Sequence, residues 1–509
     1  MVVAKKILYI DPNNLCNLPH FMGLSVNHQF FARFSVSTLS NNNAYNETTG
    51  KRIDQTGLQV EIISKENIKP ASPTPDHLRT YDVSVLDQLL PNIYMPFVYF
   101  YPNNHQINDH LKFRRQLLKR SLSEILPSFY PLAGKVKNNR QIDCNDDGVY
   151  YVEAKVNTDL SDFLKQPNLK SIHKFLPMDP NSLELLFSQT YLVMIQVTVF
   201  DCGGIAIGLY TSHKIMDGSS HATFLKAWAA AAHGESSNSI VENISPSFIS
   251  PSIFPSNPAL PEDATLVWLP PLSKPKKRAT KRFLFGSSSI INLKKKAAAP
   301  SRVTAVTGLL WKCVMAASKN NYCDPVIRSS ILLMLVNLRD KSLPPMPNYS
   351  IGNIIWTTTP TKCIPCDDDL ELDSIVQRLQ NAIDEINSDF IEKMKREEFS
   401  LKVGELLHEM RKFYLDDQNI ELMYVTSMCN TGIYEAADFG WGNPIWVSVG
   451  NADADHPLLA NVVMLMDTRS GKGIEAWVTL SEEEMAVLEK DPELLAFASS
   501  NPSPLETDD

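Results

Sequence analysis

Residues 245–275 are rich in Pro and Ser and follow neither a helical nor a strand period. Proline fixes φ and lacks an N–H, so a stretch like this can be neither a helix interior nor a central strand. It reads as a long connection that divides the chain into two halves, each with its own apolar surface to bury. A length of 509 residues agrees, because single cores stop growing well short of that size.

The expected organisation is an N-terminal extension over 1–57, a first domain over 58–244, a crossover over 245–280 and a second domain over 281–500. The extension is rich in Asn and Ser and poor in acidic residues, and reads as disordered. With only Arg33 and Arg52 as arginines, it is weak as a plastid transit peptide.

In the first half, the residues at 60–64, 97–101 and 149–156 read as strands. The stretch Pro70-Ala-Ser-Pro-Thr-Pro75 excludes regular structure. Leu117, Leu118, Leu122, Ile125 and Leu126 recur at helical spacing and predict a helix over 111–126, ended by Pro127. The β-prone runs at 191–200 and 205–211, separated by Asp201-Cys-Gly-Gly204, predict a hairpin. A loop over 212–218 follows, then a helix over 219–233 capped at Ser219 or Ser220. The second half predicts strands at 281–285, 331–336, 446–449, 462–466 and 475–480. Helices are expected over 302–317 and through most of 373–413, and Ser481-x-x-Glu484 reads as a capping box opening a short helix. The fold class is α+β.

Composition excludes several functions. A formal net charge of -9 argues against a general nucleic-acid binder. No apolar run is long enough to span a membrane. The 8 cysteines are scattered, and the Cys363-x-x-Cys366 pair lacks the second ligand pair a structural zinc needs, so no metal is expected.

The chemistry concentrates at Thr211-Ser-His-Lys-Ile-Met-Asp-Gly218, where a strand delivers a histidine to a loop. A neutral imidazole can take a proton from a hydroxyl in a transition state. A lone H-x-x-x-D also arises by chance, and His213 could equally be a structural residue at a strand end. Asp217 could pair with His213 as in a triad, or hold the loop through an arginine. The following Gly218 suggests a tight turn and favours the second role, with Arg339 as the candidate partner in a two-bond ion pair.

His213-Lys-Ile-Met-Asp217 with Gly218, followed far downstream by Asp438-Phe-Gly-Trp-Gly442, resembles the two signatures of the plant BAHD acyltransferases, H-x-x-x-D-G and D-F-G-W-G. Tyr130-Pro-Leu-Ala-Gly134, Val336-Asn-Leu-Arg339, Gly352-Asn353 and Gly473-Ile-Glu-Ala-Trp477 match as well, and the resemblance runs from about residue 60 to about residue 488. The Pro70–Pro75 stretch and Tyr99-Phe-Tyr-Pro102 are similar to the branch containing vinorine synthase and the limonoid and alkaloid O-acetyltransferases. Met428 and Asn430 depart from that branch, where Trp and Arg are frequent, and the 1–57 extension is not part of the pattern.

The resemblance implies two chloramphenicol-acetyltransferase-like domains with mixed sheets flanked by helices, joined by a long crossover. A channel would run between them, with His213 at its middle as general base. It implies acetyl-CoA as co-substrate, no permanently bound cofactor, and a small-molecule alcohol such as a triterpenoid or alkaloid as acceptor. An amine acceptor, or an inactive binding protein on the same fold, are the alternatives. Asp438 would be either a proton acceptor or a structural residue of its loop. Gly440 and Gly442 flanking Trp441 favour the structural role. Ser301 and Arg302 are expected near CoA.

The basic residues Lys274, Lys276, Lys277, Arg278, Lys281 and Arg282, and Lys294–Lys296, could meet CoA phosphates. They could equally form a solvated face or a nuclear-localisation run. The protein is expected to act as a cytoplasmic monomer without membrane or nucleic-acid partners.

Overall fold

The computed structural model of the chain describes residues 45–46, 51–53, 57–103, 109–178, 191–234, 244–260, 264, 277–320, 329–359, 361–363, 371–395, 399, 403–404, 420–450 and 461–506. All of them fall in one compact unit spanning Tyr45–Asp509.

Seven strands of the first half join its main sheet: β1 (Tyr45–Asn46), β2 (Lys51–Ile53), β3 (Gln59–Ile68), β4 (Tyr94–Tyr101), β5 (Val149–Val156), β6 (Val193–Phe200) and β7 (Ile205–Ser212); three short ones, Thr80–Asp82, Lys135–Asn138 and Gln141–Asp143, form a small separate sheet. The rest follow the crossover: β8 (Arg278–Phe285), β9 (Ser329–Asn337), β10 (Ile355–Thr357), β11 (Thr361–Cys363), β12 (Ile420–Ser427), β13 (Trp446–Val449), β14 (Asn461–Asp467), β15 (Ile474–Ser481) and β16 (Ser499–Ser500). The helices that matter here are α1 (Val85–Leu89), α2 (Asp109–Ile125), α3 (Gly218–Ala232), α4 (Ser287–Lys296), α5 (Arg302–Asn320), α6 (Leu372–Asp384), α7 (Ser388–Met394) and α8 (Glu482–Leu488).

Two eight-stranded mixed sheets carry the fold. The first runs β1-β2-β3-β5-β6-β7-β4-β13 and is parallel only between β5 and β6. The second runs β10-β9-β12-β14-β15-β8-β16, with β11 also on β9, and β9, β12 and β14 lie parallel. The β6–β7 hairpin forms as expected, Val199 opposite Ile205 and Val193 opposite Thr211. Both of its strands are apolar on both faces and almost wholly buried, because α2 and α3 cover the sheet. At about 1.5–3 kcal/mol per large apolar side chain, this hairpin is among the most strongly held parts of the molecule.

The last strand of the first sheet is β13, from the second half of the chain. It pairs with β4, Trp446 opposite Phe100 and Val449 opposite Phe97. The first core accordingly takes in Met428, Tyr434, Phe439, Trp446 and Trp477. A second core packs α5 against the second sheet, and a third joins α1 to Leu338, Ile354 and Trp356.

Several local expectations need correction. The sheet reaches into the extension assigned to 1–57, through β1 and β2. Helix α3 is capped by Asp217, not by Ser219 or Ser220. Asp217 Oδ1 accepts from Ser220 N at 2.9 Å, and its extended backbone is that of a cap, whereas Ser219 and Ser220 already lie inside the helix. Gly218 does not sit in a turn with positive φ; it is the first residue of α3. The helical stretch expected from residue 373 breaks after Asp384, because Asn387 Oδ1 caps a new helix by accepting from Phe390 N at 3.0 Å. Most of 396–413 lies outside the described residues, as do 265–276 of the crossover, Lys274 and Lys276 among them, and Cys366. The Ser481–Glu484 capping box is present as read.

Candidate active site at His213

Strand β7 ends at Ser212 and passes the chain to His213, whose N donates to Ile93 O at 2.8 Å. The loop is thereby tied at its start to the residue preceding β4. Its other end is fixed by Asp217. Arg339 Nη1 donates to Asp217 Oδ2 at 2.7 Å, and Nη2 donates to Oδ1 at 3.0 Å. Ser220 Oγ reaches Oδ1 at 2.9 Å, and Ile354 N reaches Oδ2 at 3.1 Å. Arg339 also donates to Ser350 O at 2.9 Å and Gly352 O at 3.2 Å. The Asp217 side chain is 2% exposed and that of Arg339 11%. Both oxygens of Asp217 are therefore occupied by donors other than His213. This is the loop-holding geometry, not a triad.

What touches the imidazole is Asn353. His213 Nδ1 lies 2.8 Å from Asn353 Oδ1. Asn353 is fully buried; its Nδ2 donates to His213 O at 2.7 Å and to Asp87 Oδ1 at 2.8 Å, and its backbone N donates to the same oxygen at 2.8 Å. Asp87 is buried too. Its Oδ2 accepts from Ser84 N at 3.0 Å and Ser84 Oγ at 2.7 Å, which makes it half of the capping box that starts α1. Burial raises the Asp87 carboxyl above its ordinary range, and these four donors offset part of that rise.

The other end of α1 is held by Lys214, the residue beside His213. Its buried ammonium donates to Asp87 O at 2.9 Å, Leu90 O at 3.3 Å and Gln88 O at 3.4 Å, and also to Asn139 Oδ1. Burial brings the Lys214 ammonium down to about 8, against the pull of Asp87.

His213 lies deep in the protein but keeps partial accessibility. Burial lowers its pKa, while the Asn353 hydrogen bond and the Asp217 and Asp87 charges raise it; burial wins, and the ring is neutral at neutral pH. Behind it, His221 is sealed in the core. Its Nε2 is 2.7 Å from Tyr99 Oη and its Nδ1 3.0 Å from Thr211 Oγ1. Burial pushes this imidazole down to about 3, so it stays uncharged.

Gly218 brings the two halves into contact. A Cβ there would lie 2.2 Å from Met428 Sδ, so any side chain at this position must push the Met428 thioether aside.

Asp438 is far from this cluster. Its Oδ1 accepts from Gly440 N and Gly442 N at 2.9 Å each, and it faces His233 Nε2 at 3.5 Å. Gly440 and Gly442 have φ of +94° and +96°, which the loop needs in order to wrap its own carboxylate. Phe439 packs edge-on to Trp228 at 4.7 Å, and Arg114 lies over Trp441 at 5.1 Å. His233 is the C-cap of α3, whereas His213 precedes its N-terminus. Fifteen helical residues, about 20 Å, separate the two ends.

The residues expected near CoA are engaged within the protein. Ser301 Oγ accepts from Thr304 N at 3.0 Å at the start of α5. Arg302 pairs with Asp467 at 2.7 Å and donates to Gly471 O at 2.7 Å and Asn430 Oδ1 at 2.6 Å. Asn430 holds a φ of 64°, a conformation asparagine adopts readily. Lys281 pairs with Glu489 at 2.6 Å. Alternation along β8 turns the next residue, Arg282, inward onto Glu475 at 2.6 Å, so the basic run is not one surface patch. A surface cavity of 520 Å³ lined by Glu66, Lys69, Lys119 and Arg120 shares no residue with the His213 cluster.

Sequence reasoning missed Asp87, Ser84 and Lys214 and quoted Asn353 only within a Gly-Asn match. The Ser84-x-x-Asp87 spacing does signal a helix start. Nothing in it signals that Asp87 meets a residue 266 positions away. Among the described residues, no group of three or more His, Cys, Asp or Glu could hold a metal ion.

The family model that matches this chain is the Transferase family, over residues 58–495. The chain is 41% identical over 463 residues to epi-neemfruitin B 7-O-acetyltransferase of Melia azedarach, covering 88% of this chain and 100% of that protein. It is 39% identical over 468 residues to limonoid 7-O-acetyltransferase of Citrus sinensis, again covering 88% and 100%. Among solved structures it resembles vinorine synthase, with a TM-score of 0.73, 34% identity and coverage of 87% of this chain and 99% of that one.

Proposed function

The chain belongs to the BAHD acyltransferases of the Transferase family, and on that premise we propose that it moves an acetyl group from acetyl-CoA to a hydroxyl of a plant specialised metabolite, a limonoid-type triterpenoid alcohol before an alkaloid. The two relatives at 41% and 39% identity, both 7-O-acetyltransferases, support the donor and the acceptor class.

His213 is the proposed base. The observation that carries this is the His213–Asn353 contact: Nδ1 is engaged at 2.8 Å, burial favours the neutral ring, and Nε2 has no hydrogen-bond partner among the described residues. As the acceptor oxygen bonds to the thioester carbonyl carbon, Nε2 takes the hydroxyl proton. The tetrahedral adduct then collapses, the C–S bond breaks, and the CoA sulfur leaves with the proton from the imidazolium. The thiolate is a good leaving group, so no covalent enzyme intermediate is required. Asp217 and Arg339 hold the loop that carries His213, with Gly218 allowing its close packing; Gly440 and Trp441 with Asp438 hold the far end of α3.

For the CoA phosphates we carry Ser301, Arg302 and Lys281. The N-terminus of α5 favours an anion, and Arg302 is the first residue of that helix. Arg302 also reaches Asn430, two residues beyond the Met428 that packs on Gly218. All residues of the cluster come from one chain, which supports a monomer as the working unit. A cytoplasmic location is the working assignment; among the described residues, no helix is long and apolar enough to cross a membrane.

The test is to incubate the purified protein with acetyl-CoA and a panel of limonoid and alkaloid alcohols, following thiol release and product mass. Acceptor-dependent release with a limonoid acetyl ester as product supports the reading. Release with alkaloid alcohols alone overturns the acceptor class, and donor binding without turnover across the panel overturns the activity.

A further inference from the structure

We propose that Asp87 is a positioning residue for the base: through the side-chain amide of Asn353 it holds the His213 ring in its Nδ1–H tautomer, leaving Nε2 as the nitrogen with the free lone pair. The consequence for catalysis rests on His213 being the base; the tautomer itself does not.

A neutral imidazole carries its proton on either nitrogen, and what its neighbour offers decides which. The neighbour here is an amide, whose two ends have nearly the same shape. If Asn353 presents oxygen to the ring, Nδ1 must carry the hydrogen. If it presents NH2, Nδ1 must accept, and the proton moves to Nε2. In that second state Nε2 cannot take a proton from a hydroxyl.

The amide is oriented by two acceptors on its far side. Asp87 Oδ1 and His213 O stand 2.8 Å and 2.7 Å from Asn353 Nδ2 and use both of its hydrogens. Neither can donate while Asp87 is ionised. Flipping the amide would set its oxygen against a buried carboxylate and a carbonyl, leaving buried acceptors without donors. The carboxylate is the stronger of the two constraints, because hydrogen bonds to a charged acceptor are about twice as strong as neutral ones. All four groups bonded to the Asp87 side chain are donors, namely Ser84 N, Ser84 Oγ, Asn353 N and Asn353 Nδ2, which is the environment an ionised carboxylate fits.

The counter-charge is Lys214. It does not touch the carboxylate; it sits at the C-terminal carbonyls of α1 and bonds to Asp87 O at 2.9 Å. The five-residue helix thus has its anion at the start and its cation at the end, the favourable order for its dipole. The remaining charges at the cluster, Asp217 and Arg339, neutralise each other. One loop therefore carries both the base and, at the adjacent position, the cation that balances the residue orienting it.

The experiment reads the His213 ring nitrogens by 15N NMR in the full-length protein without substrate, with the signals assigned by their loss in H213N. Nδ1–H is expected in the native protein. In D87N, which keeps shape and removes charge, the Nε2–H form should become populated. kcat with acetyl-CoA should fall at least tenfold while KM for acetyl-CoA stays within twofold. D87N also strands the Lys214 ammonium and could fail to fold for that reason alone. The double variant D87N/K214M removes both charges and is expected to give the same tautomer change and the same kcat loss.

An Nε2–H ring in the native protein overturns the proposal. So does an Nδ1–H ring with unreduced kcat in whichever of the two variants retains a cooperative melting transition. Because the tautomer is read without substrate, a native protein that shows Nδ1–H but turns over no acceptor contradicts the proposed function and leaves this inference standing.

Discussion

Asp217 and Arg339, 122 positions apart, form a two-bond ion pair, and the hydrogen bonds of the Asp217 carboxylate go to Arg339, Ser220 and Ile354 and not to the His213 ring. Asp217 therefore acts on the base by holding the loop that carries it and, at a distance, through its charge, and the pair is buried enough for its loss to be felt as stability. D217A leaves the Arg339 guanidinium without its carboxylate, and breaking such a pair costs about 3–5 kcal/mol. D217A should lower the denaturation midpoint by a corresponding amount. The acidic limb of its pH–rate profile should move to lower pH, because the Asp217 charge that raises the His213 pKa is gone. R339K should also be destabilised, since an ammonium cannot make two parallel bonds. Chemical denaturation and pH–rate curves check both.

The His213 pKa lies below its ordinary value because burial disfavours the charged ring. Catalysis needs the neutral form. Activity should rise with pH along a limb centred below about 6.5 and be flat from neutrality upward until other groups titrate. A kcat/KM profile for acetyl-CoA measures this; a limb centred above 7 would contradict it.

His221 makes an acid-stability prediction. Its folded pKa, about 3, lies below the unfolded value, so the unfolded state binds more protons between the two. Stability is fully present above about 6.5 and is lost progressively as pH falls toward 3, with His213 contributing in the same direction over part of that window. H221Q should be less stable at pH 7, by about 1–3 kcal/mol, because the Tyr99 and Thr211 contacts are disturbed. Its stability should also decline less steeply on acidification. Denaturant midpoints at a series of pH values test both parts.

At Gly218 the constraint is space. G218A would press a methyl onto Met428 Sδ, and overpacking of this kind costs about 1–3 kcal/mol. Adding M428A should recover part of that loss, even though M428A alone opens a cavity. A double-mutant cycle by thermal denaturation measures the coupling.

Asp438 wraps its own loop a helix length from His213. D438A should lower the melting temperature through the lost Gly440 and Gly442 contacts and change kcat by less than about threefold, well short of the loss expected for removing a base. Melting curves and single-substrate kinetics separate the two effects.

Much of the fold was legible because it rests on local signals. The β6–β7 hairpin is marked by two apolar β-branched runs around Cys202-Gly-Gly, and α8 by its Ser481–Glu484 box. The Asp217–Arg339 pair was readable because Arg339 directly follows a buried strand. What failed were features set by distant partners. The addition of β13 to the first sheet depends on Phe97 and Phe100, more than three hundred residues upstream. The alternation that turns Arg282 inward to Glu475 while Lys281 pairs with Glu489 breaks up a basic run that looks like one patch in the sequence. Asn353 lies in the Gly352-Asn353 match and Asp87 in a Ser84-x-x-Asp87 helix start, but neither signal points to His213. Their role exists only because folding brings three segments of the chain around one imidazole.

The most direct test of the central claim compares the native protein with H213A in acetyl-CoA-dependent esterification of a limonoid alcohol, after both show the same melting transition. The account predicts that H213A loses about 100-fold to 10,000-fold in kcat, with KM for acetyl-CoA little changed. Ester formation by H213A within a few-fold of the native rate would mean that another group takes the hydroxyl proton, and the assignment of His213 as base would be wrong.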